Sequence, residues 1–416
     1  MKNKKIVIIS ESIDINDGSS CTKCNVGLIE NLKKCGFEII VFHYTRRKIN
    51  LRDIECHEIK ESKVNLLYVL SRIQRIIARR YNIHLNKFLE NIFGFSFTFY
   101  NDVNSIKLII SKVIILKPDL IITLSKGTSF RPHYALLSFP EVHLKWLANI
   151  HDPFPFHFNP RPYNWVEPGY AIKESFFLTL SEKAKYTSFP SQLLKEWMGS
   201  YFPNFLNTGI IVPHQNNDYQ IQNNDLPVYF ENAKFNLLHA GNLLPQRSPE
   251  GLIEGFKLFL KNVPEAKNDA RLLLLGPAGS HVILLSTYKI NFPELFVFNG
   301  SVAFDEIYNL QKNVSVNIIL EAKSEISPFL PGKFPHCVEA NKIILSLAPY
   351  YSETKRLLGD DYEYWAEVDD VNKIASLIEK LYNQWLIDPE KILLNRPDLL
   401  EYLSPNNLKK TIETIV

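Results

Sequence analysis

The sequence is poor in cysteine and has no long apolar run. Its 416 residues include five cysteines, an odd number that argues against a disulfide framework and fits a reducing compartment. No apolar stretch approaches the roughly 20 residues that span a bilayer, and the charged opening MKNKKIVIISES is unlike a signal peptide. We therefore expect a cytoplasmic protein.

Motifs for two common kinds of cofactor are also missing. Cys21 and Cys24 form a CTKC pair, but no second pair completes a zinc site. We therefore predict no metal and interpret the pair as small residues at a helix start. No GxGxxG opens either half, and Gly276-Pro-Ala-Gly279 is not a dinucleotide fingerprint. A dehydrogenase is disfavoured.

The chain does contain an alternation of short apolar strands with helical segments. The N-terminal strands are KIVIIS, EIIVFHY, DLIITLS, KWLANIH, YTSFPS and GIIVPH, and the C-terminal strands are FNLLHAG, RLLLLGPAG, LFVFNG, SVNIIL and KIILSLAP. This alternation predicts parallel sheets covered by helices. With the polar stretch 214–227 as a linker, we predict an α/β protein with two Rossmann-like domains in tandem.

Two strand-to-helix junctions in the C-terminal half each carry a glycine and end in a cation. They are HAGNLLPQRSPEGLIEGF with Arg247 and SPFLPGKFPHCVEANKIIL with Lys333. A cation beside the first turn of a helix favours phosphate, because unpaired backbone N–H groups and the helix dipole add to its charge. Two such sites indicate a diphosphate, so a nucleotide-activated substrate is the first hypothesis.

The expected binding positions follow from the geometry of parallel sheets. Ligands of open parallel sheets bind beyond the carboxyl ends of the strands. The residues predicted there are Gly18, His151, 241–247, 276–279, 300–302 and 328–333. If the two domains face each other, these loops line one cleft.

Several of these segments resemble motifs of one enzyme family. Gly241-Asn242-Leu243 followed by Arg247-Ser248 stands where retaining GT-B glycosyltransferases of the family 4 type have G-R-L and then K-G before a helix. FNGSVAFDEIYNL resembles the stretch whose main chain meets the nucleotide base, and PFLPGKFPHCVEANKIIL resembles a P-F-L-P-S-K-L branch of the family. NIHDPFPF is similar to a strand-ending His-Asp whose histidine touches the donor sugar. The resemblance is to enzymes of the bacterial cell-surface polysaccharide type.

The resemblance implies a fold and a reaction. Residues 1–220 would form the acceptor-side domain and 228–395 the nucleotide-sugar domain, facing across a cleft, with a helix in 396–416 packing back on the first domain. The implied reaction moves a sugar, with retention, from a UDP- or GDP-linked donor to a saccharide or lipid-linked acceptor. The Asp-x-Asp of metal-dependent transferases is missing, so no metal or further cofactor is implied. Nucleic acid is not an expected partner.

The family's functional residues can be carried over by position. Arg247 and Lys333 would stabilise the leaving diphosphate, and His151 would contact the donor sugar. The structural alternative for Arg247 and Lys333 is a cation at the surface, and for His151 it is a histidine hydrogen-bonded to the backbone. The expected donor-binding positions are Gly18, Asn242, Gly276, Ser301, Val302, Phe329, Leu330, His336 and Glu339.

Two carboxylates of the family pattern are displaced or lost. The usual ribose-binding Glu aligns with His336, while Glu339 lies one helical turn later on the same face, and either could take the role. The first Glu of the family's Glu-x7-Glu pair falls on Pro328, although Glu325 is three residues away. Donor recognition is therefore expected to depend on main-chain N–H groups of 328–330.

These losses keep other functions open. A catalytically silent GT-B partner of another transferase would fit the missing carboxylates. A GT-B nucleotide-sugar epimerase shares the fold, and a two-domain sugar-binding module would also bind in a cleft. Donor hydrolysis without an acceptor would favour a transferase, whereas binding without turnover would favour the silent partner.

The N-terminal half is basic, with 28 Lys and Arg against 20 Asp and Glu in residues 1–225. Part of the excess lies in YVLSRIQRIIARRYNIHLNK. In this segment the helical spacing combines four arginines with four apolar residues: Arg72, Arg75, Arg79, Arg80, Leu70, Ile73, Ile76 and Ile77. Such a helix either lies on the anionic inner face of the cell membrane or is a solvated face. The neighbouring aromatic run 92–100 is either part of that contact or core.

Overall fold

The structure of the protein, a computed structural model, describes residues 4–17, 19–216 and 225–416. These residues divide into two compact units. The first unit comprises Leu403–Val416 and the described residues before 218, except Pro160–Tyr163. The second unit comprises Pro160–Tyr163 and the described residues from 225 to Tyr402.

The first unit is built on a sheet of seven parallel strands. Its strands are β1 (Lys5–Ser10), β2 (Glu38–His43), β3 (Glu55–Glu58), β4 (Leu120–Leu124), β5 (Trp146–Asn149), β6 (Tyr186–Phe189) and β7 (Gly209–Ile211). Its helices are α1 (Ser20–Lys34), α2 (Leu66–Tyr81), α3 (Asn86–Phe93), α4 (Phe97–Lys107), α5 (Ile110–Ile115), α6 (Arg131–Leu136), α7 (Tyr170–Lys183), α8 (Gln192–Tyr201) and α9 (Asn204–Thr208). The strand order is β3-β2-β1-β4-β5-β6-β7, so the order reverses between β1 and β4.

The apolar run of β1 shows why this sheet is covered on both faces. Ile6 and Ile8 pack in one hydrophobic cluster, whereas Val7 and Ile9 pack in another. All four side chains are fully buried. Because successive side chains of a strand point to opposite faces, a continuous apolar run requires helices on both sides.

The second unit is built on a sheet of six parallel strands. The described residues of the unit form eight strands, six in this sheet and two in a separate pair: β8 (Phe235–Ala240), β9 (Ala270–Leu275), β10 (Leu295–Phe298), β11 (Val316–Leu320), β12 (Ile326–Ser327), β13 (Ile343–Leu347), β14 (Tyr351–Ser352) and β15 (Trp365–Ala366). Its helices are α10 (Glu250–Asn262), α11 (Val282–Ile290), α12 (Phe304–Asn313), α13 (Phe334–Glu339), α14 (Glu353–Leu358), α15 (Val371–Ile387) and α16 (Pro397–Tyr402). The sheet order is β10-β9-β8-β11-β13-β15, and β12 pairs with β14 separately. Here the order reverses between β8 and β11.

The last helix, α17 (Pro405–Glu413), belongs to the first unit. Its Leu408 and Ile412 are buried in the same cluster as Ile6 and Ile8. The Cys35 thiol, at the end of α1, donates a hydrogen bond of 3.0 Å to the Pro405 carbonyl oxygen. The chain therefore returns to the first unit after completing the second.

The predicted α/β class with two parallel sheets is confirmed. The edge strands β3 and β15 have no counterpart among the predicted strands. β3 is the polar segment ECHE and β15 has only two residues, so neither produces an apolar run. The aromatic run 92–100 is divided: Phe95 and Phe99 stack in the core, with ring centroids 3.9 Å apart, whereas Ile92 and Phe93 are exposed.

No helix among the described residues combines the length and the apolar character needed to cross a membrane.

Close packing of α10 makes Gly251 a sensitive position. A methyl group at Gly251 would collide with the Val368 carbonyl oxygen, which is backbone and cannot rotate away. We expect Gly251→Ala to destabilise the second unit by about 1–3 kcal/mol through overpacking, although alanine favours a helix over glycine. Thermal unfolding followed by circular dichroism measures this. The control is Lys261→Ala on the exposed side of α10, and a Gly251→Ala midpoint equal to or above the wild-type value would contradict the expectation.

Candidate functional site

The site in the second unit begins where β8 ends. Gly241 follows the strand with a φ of 153°, and a Cβ at this position would lie 2.9 Å from the Lys333 amine. Gly276, at the end of β9, approaches so closely that its own Cβ would collide with the Gly241 carbonyl. The two glycines therefore let the strand ends and the Lys333 amine come together, as only residues without a side chain can.

Arg247 reaches the same place from the loop before α10. Its guanidinium donates a hydrogen bond of 3.2 Å to the Asn242 carbonyl oxygen. The Ser248 hydroxyl accepts a hydrogen bond of 3.3 Å from the Glu250 N–H, at the start of α10. Three predicted positions, Arg247, Lys333 and Asn242, thus lie close to one another at the carboxyl end of β8, beside Gly276.

The two cations of this site have no ion-pair partner in the part of the chain that the structure describes. Neither Arg247 nor Lys333 pairs there with a carboxylate, and the Lys333 amine lies 3.3 Å from His239 Nδ1. Burial, together with the Arg247 charge, lowers the pKa of Lys333 to about 7. Burial and both cations hold the pKa of His239 well below its usual value. Protonation of Lys333 at this site is therefore less favourable than protonation of a lysine in water.

A carboxylate that sequence reasoning missed lies across the switch point. Glu321 directly follows β11, is 3% exposed, and accepts hydrogen bonds from the Ser327 and Thr354 hydroxyls. Burial raises its pKa, while the Arg247 charge acts in the opposite direction. The available signal is its position: it is the residue directly after the apolar run SVNIIL, in the strand beside β8.

The alternatives for the ribose position differ in their surroundings. His336 is buried on α13, and its ring packs edge-on against Phe304 and Tyr308. Glu339 is exposed one turn later, where its carboxylate accepts a hydrogen bond from the Tyr308 hydroxyl. Only the carboxylate of this pair stands where solvent or a ligand reaches it.

The remaining donor-binding positions are spread along the same strand ends. Ser301 is exposed and Val302 half-buried in the loop before α12; Phe329 is half-buried and Leu330 buried in the loop before α13. Phe329 packs edge-on against Tyr163 at 6.2 Å between ring centroids. The predicted position Gly18 lies outside the described residues.

His151 belongs to the first unit, beyond the end of β5. It is buried, and its Nε2 lies 2.8 Å from Asn25 Oδ1 and 3.1 Å from Asn149 Nδ2. Burial, followed by His214 and His133, lowers its pKa to about 3, so the ring is neutral near pH 7. Burial raises the pKa of the adjacent Asp152 to about 6. A neutral imidazole held by two amides is suited to hydrogen bonding rather than to carrying charge.

No group of three or more potential metal ligands occurs in the part of the chain that the structure describes. The cysteines are free thiols, and burial raises the pKa of Cys24 to about 12. That buried thiol is therefore protonated and unreactive at neutral pH.

Neither a protein-family model nor a curated protein sequence matches the chain. Solved structures do match along its whole length. A glycosyltransferase from Rickettsia africae shares 12% identity over 100% of this chain and 98% of its own, with a TM-score of 0.59. The E. coli trehalose-6-phosphate protein bound with UDP-2-fluoro glucose shares 11% identity over 99% of this chain and 98% of its own, with a TM-score of 0.61.

A third match is Anabaena HepE in complex with UDP and glucose, with 9% identity, coverage of 99% of both chains and a TM-score of 0.55. The chain has a GT-B-type fold. At these identities the similarity concerns the fold alone, and this GT-B-type chain is similar in structure to nucleotide-sugar glycosyltransferases.

The charge state of Lys333 can be tested without a ligand. Amines are acylated only when neutral, so we expect trace labelling of Lys333 with acetic anhydride to rise with a midpoint near pH 7, against about 10.4 for an ordinary lysine. Arg247→Met should raise that midpoint because it removes the repelling charge. Mass spectrometry of the labelled peptides measures both, with exposed Lys261 as the internal reference. Identical profiles for Lys333 and Lys261 would show that the amine is not perturbed.

Proposed function

We propose that the protein is a metal-independent, retaining glycosyltransferase that takes its sugar from a UDP- or GDP-linked donor. The observation that carries this is the pair of cations at the end of β8, Arg247 and Lys333, which repel each other beside a glycine turn. Such a site gains most from an anion with two charged groups in a row. A leaving nucleoside diphosphate is an anion of this kind.

The proposed residue roles combine the site geometry with the family resemblance. Arg247 and Lys333 stabilise charge on the departing diphosphate, while the main-chain N–H groups of Phe329 and Leu330 orient the donor. Retention with no protein base requires the β-phosphate to take the acceptor's proton, which accords with a site rich in donors. Asn242 and Gly276 shape the turn around the phosphates, and Ser301 with Val302 meets the nucleotide base.

For the ribose we favour Glu339 over His336. The exposed carboxylate is oriented by the Tyr308 hydroxyl, whereas the buried ring of His336 is occupied by aromatic contacts. In the first unit, His151 is proposed to contact the donor sugar as a neutral hydrogen-bonding group. Gly18 is kept as a proposed donor-binding position because it is expected beyond the carboxyl end of the first strand.

The proposed setting is the cytoplasm, in synthesis of a cell-surface polysaccharide or related glycan. The acceptor is a saccharide or a lipid-linked saccharide. We further propose that the first unit contacts the anionic inner face of the membrane through α2 and α3, where a lipid-linked acceptor would be available.

The packing of α2 supports this contact because the helix is oriented opposite to an ordinary amphipathic helix. Its buried residues are polar, Ser71 and Gln74, whereas its apolar residues Leu66, Val69, Ile73 and Ile76 are exposed. On α3, Phe88, Ile92 and Phe93 are exposed as well. Residues 62–89 contain six Lys and Arg and no Asp or Glu. This stretch is flanked by Glu61, which pairs with Arg72, and by Glu90 of α3. An exposed apolar surface with this excess of positive charge fits anionic lipid.

A catalytically silent GT-B partner is the second candidate, favoured by the absence of the family's carboxylates at Pro328 and His336. An epimerase remains a third reading of the same fold. Incubation with a set of UDP- and GDP-sugars discriminates among them. Slow donor hydrolysis supports a transferase, binding without turnover supports the silent partner, and conversion to an epimeric nucleotide sugar supports the epimerase.

Removal of one diphosphate contact should slow the reaction. With the donor identified by that screen, we expect Arg247→Ala to lower turnover by about 10²- to 10³-fold, the scale of losing one donor that stabilises transition-state charge. Lys261→Ala, which removes an exposed cation from the same unit, should leave turnover unchanged. Steady-state kinetics measures both, and wild-type turnover by Arg247→Ala would refute the assignment.

The membrane contact predicts a charge-dependent association. The triple variant Arg75→Ala, Arg79→Ala, Arg80→Ala should weaken binding to phosphatidylglycerol-containing vesicles by about 3 kcal/mol, at about 1 kcal/mol per basic residue. Flotation measures this at low and high salt. The matched control, Lys112→Ala, Lys117→Ala, Lys183→Ala, removes the same charge from exposed positions elsewhere in the first unit. Equal flotation of the two triple variants would exclude α2 as the contact.

A further inference from the structure

His239 is a buried histidine at the proposed phosphate site that the reaction scheme does not use. It is the penultimate residue of β8 and is fully buried. Its Nδ1 lies 3.3 Å from the Lys333 amine and 3.3 Å from the Ile318 carbonyl oxygen of β11. Its Nε2 is buried and has no hydrogen-bond partner among the described residues.

The protonation state of the ring limits what it can do. Its pKa is held well below the usual value by burial and by the charges of Lys333 and Arg247, so the imidazole is neutral near pH 7. A neutral ring has one donor nitrogen and one acceptor nitrogen. Nδ1 can serve only one of its two neighbours at a time. When Lys333 is neutral, Nδ1 can donate to the Ile318 carbonyl oxygen. When Lys333 is an ammonium ion, Nδ1 must accept from it because the ammonium has only donors, and the proton then lies on Nε2.

Three other groups face Lys333 and set the balance. Arg247 opposes its positive charge, whereas Glu321 beyond β11 and Cys337 on α13 act in the other direction. None of the three gives the amine a hydrogen bond among the described contacts. His239 is therefore the neutral acceptor that lets the amine be charged, and it fixes the amine against Gly241, where a side chain would lie 2.9 Å from it.

We propose that His239 is a positioning residue: it accepts a hydrogen bond from the Lys333 ammonium through Nδ1 and holds that charge at the end of β8, where the nucleoside diphosphate binds. The second half of this statement rests on the proposed function, and the first half does not. The test therefore has two arms, one without ligand and one with it.

The first arm measures the labelling midpoint of Lys333 in His239 variants. A hydrogen bond to a charged group is worth about 1.5–3 kcal/mol, and one pH unit corresponds to about 1.4 kcal/mol. We expect His239→Leu to lower the Lys333 midpoint by about one pH unit, because the ammonium form loses the acceptor that stabilises it relative to the neutral amine. His239→Asn places an amide oxygen near the Nδ1 position and should retain most of the wild-type midpoint. His239→Gln extends its amide toward Nε2 and should behave like His239→Leu.

Circular dichroism melts first establish that each variant is folded. If His239→Leu does not fold, the comparison of His239→Asn with His239→Gln still tests the proposal, because the two side chains carry the same amide group at different reach. An unchanged midpoint in His239→Leu, or equal midpoints in the Asn and Gln variants, would overturn the positioning role. Neither result depends on whether the protein binds a nucleotide.

The second arm is a double-mutant cycle on nucleoside diphosphate affinity, measured by calorimetry with UDP and GDP separately. His239→Leu should weaken binding about tenfold in the wild-type background, and less than about twofold in a Lys333→Met background, because His239 acts only through that amine. Equal losses in both backgrounds would show a structural effect and refute the proposal. If neither nucleotide binds the wild-type protein, the proposed function fails, while the first arm still decides the role of His239.

Discussion

The burial of the Lys333 amine beside the Arg247 charge is the constraint on which the second unit's site depends. A buried amine next to a second cation, with no ion-paired carboxylate among the described residues, raises the free energy of the unliganded protein when it is charged. The surroundings make that arrangement persist: β8 is buried along its whole length, and Gly241 and Gly276 have no side chains that would keep the Lys333 amine and the two strand ends apart. The Glu321 carboxylate, which accepts hydrogen bonds from the Ser327 and Thr354 hydroxyls, offsets the positive charge of Lys333 only partly. Binding of the proposed diphosphate would relieve the repulsion between the two cations, because the anion supplies the negative charge that they lack.

The part of this site that could be predicted from the sequence is the part encoded locally. A glycine, a cation and a helix start within ten residues predict a phosphate contact at Arg247 before any tertiary structure is known. The same holds for the parallel sheets, since their continuous apolar runs report burial on both faces. His239 and Glu321 could not be found in this way. Each lies in or just after an apolar run, and their closeness to the cations depends on the pairing of β8 with β11, about 80 residues apart.

The amphipathic segment around α2 shows a different limit. Helical periodicity predicts a stripe of apolar residues and a stripe of polar ones, but it does not tell which stripe meets the rest of the protein. In the structure Gln74 is buried and its side-chain amide donates a hydrogen bond to Asn86 Oδ1, while Ile73 and Ile76 are exposed. Periodicity alone leaves a membrane contact and a solvated face as alternatives for this helix. The inversion is visible only once the contact between α2 and α4 is known.

The placement of α17 in the first unit has a consequence for the order of folding. Because the first unit takes its hydrophobic cluster from both sides of the second unit in sequence, completing it closes a loop that contains residues 218–402. The entropic cost of joining the ends of a flexible chain rises with its length, but a folded insert has fixed ends and removes most of that cost. The second unit, contiguous apart from Pro160–Tyr163, can form from nearby segments alone. The packing of α17 on the first unit therefore costs less chain entropy when the second unit is already folded.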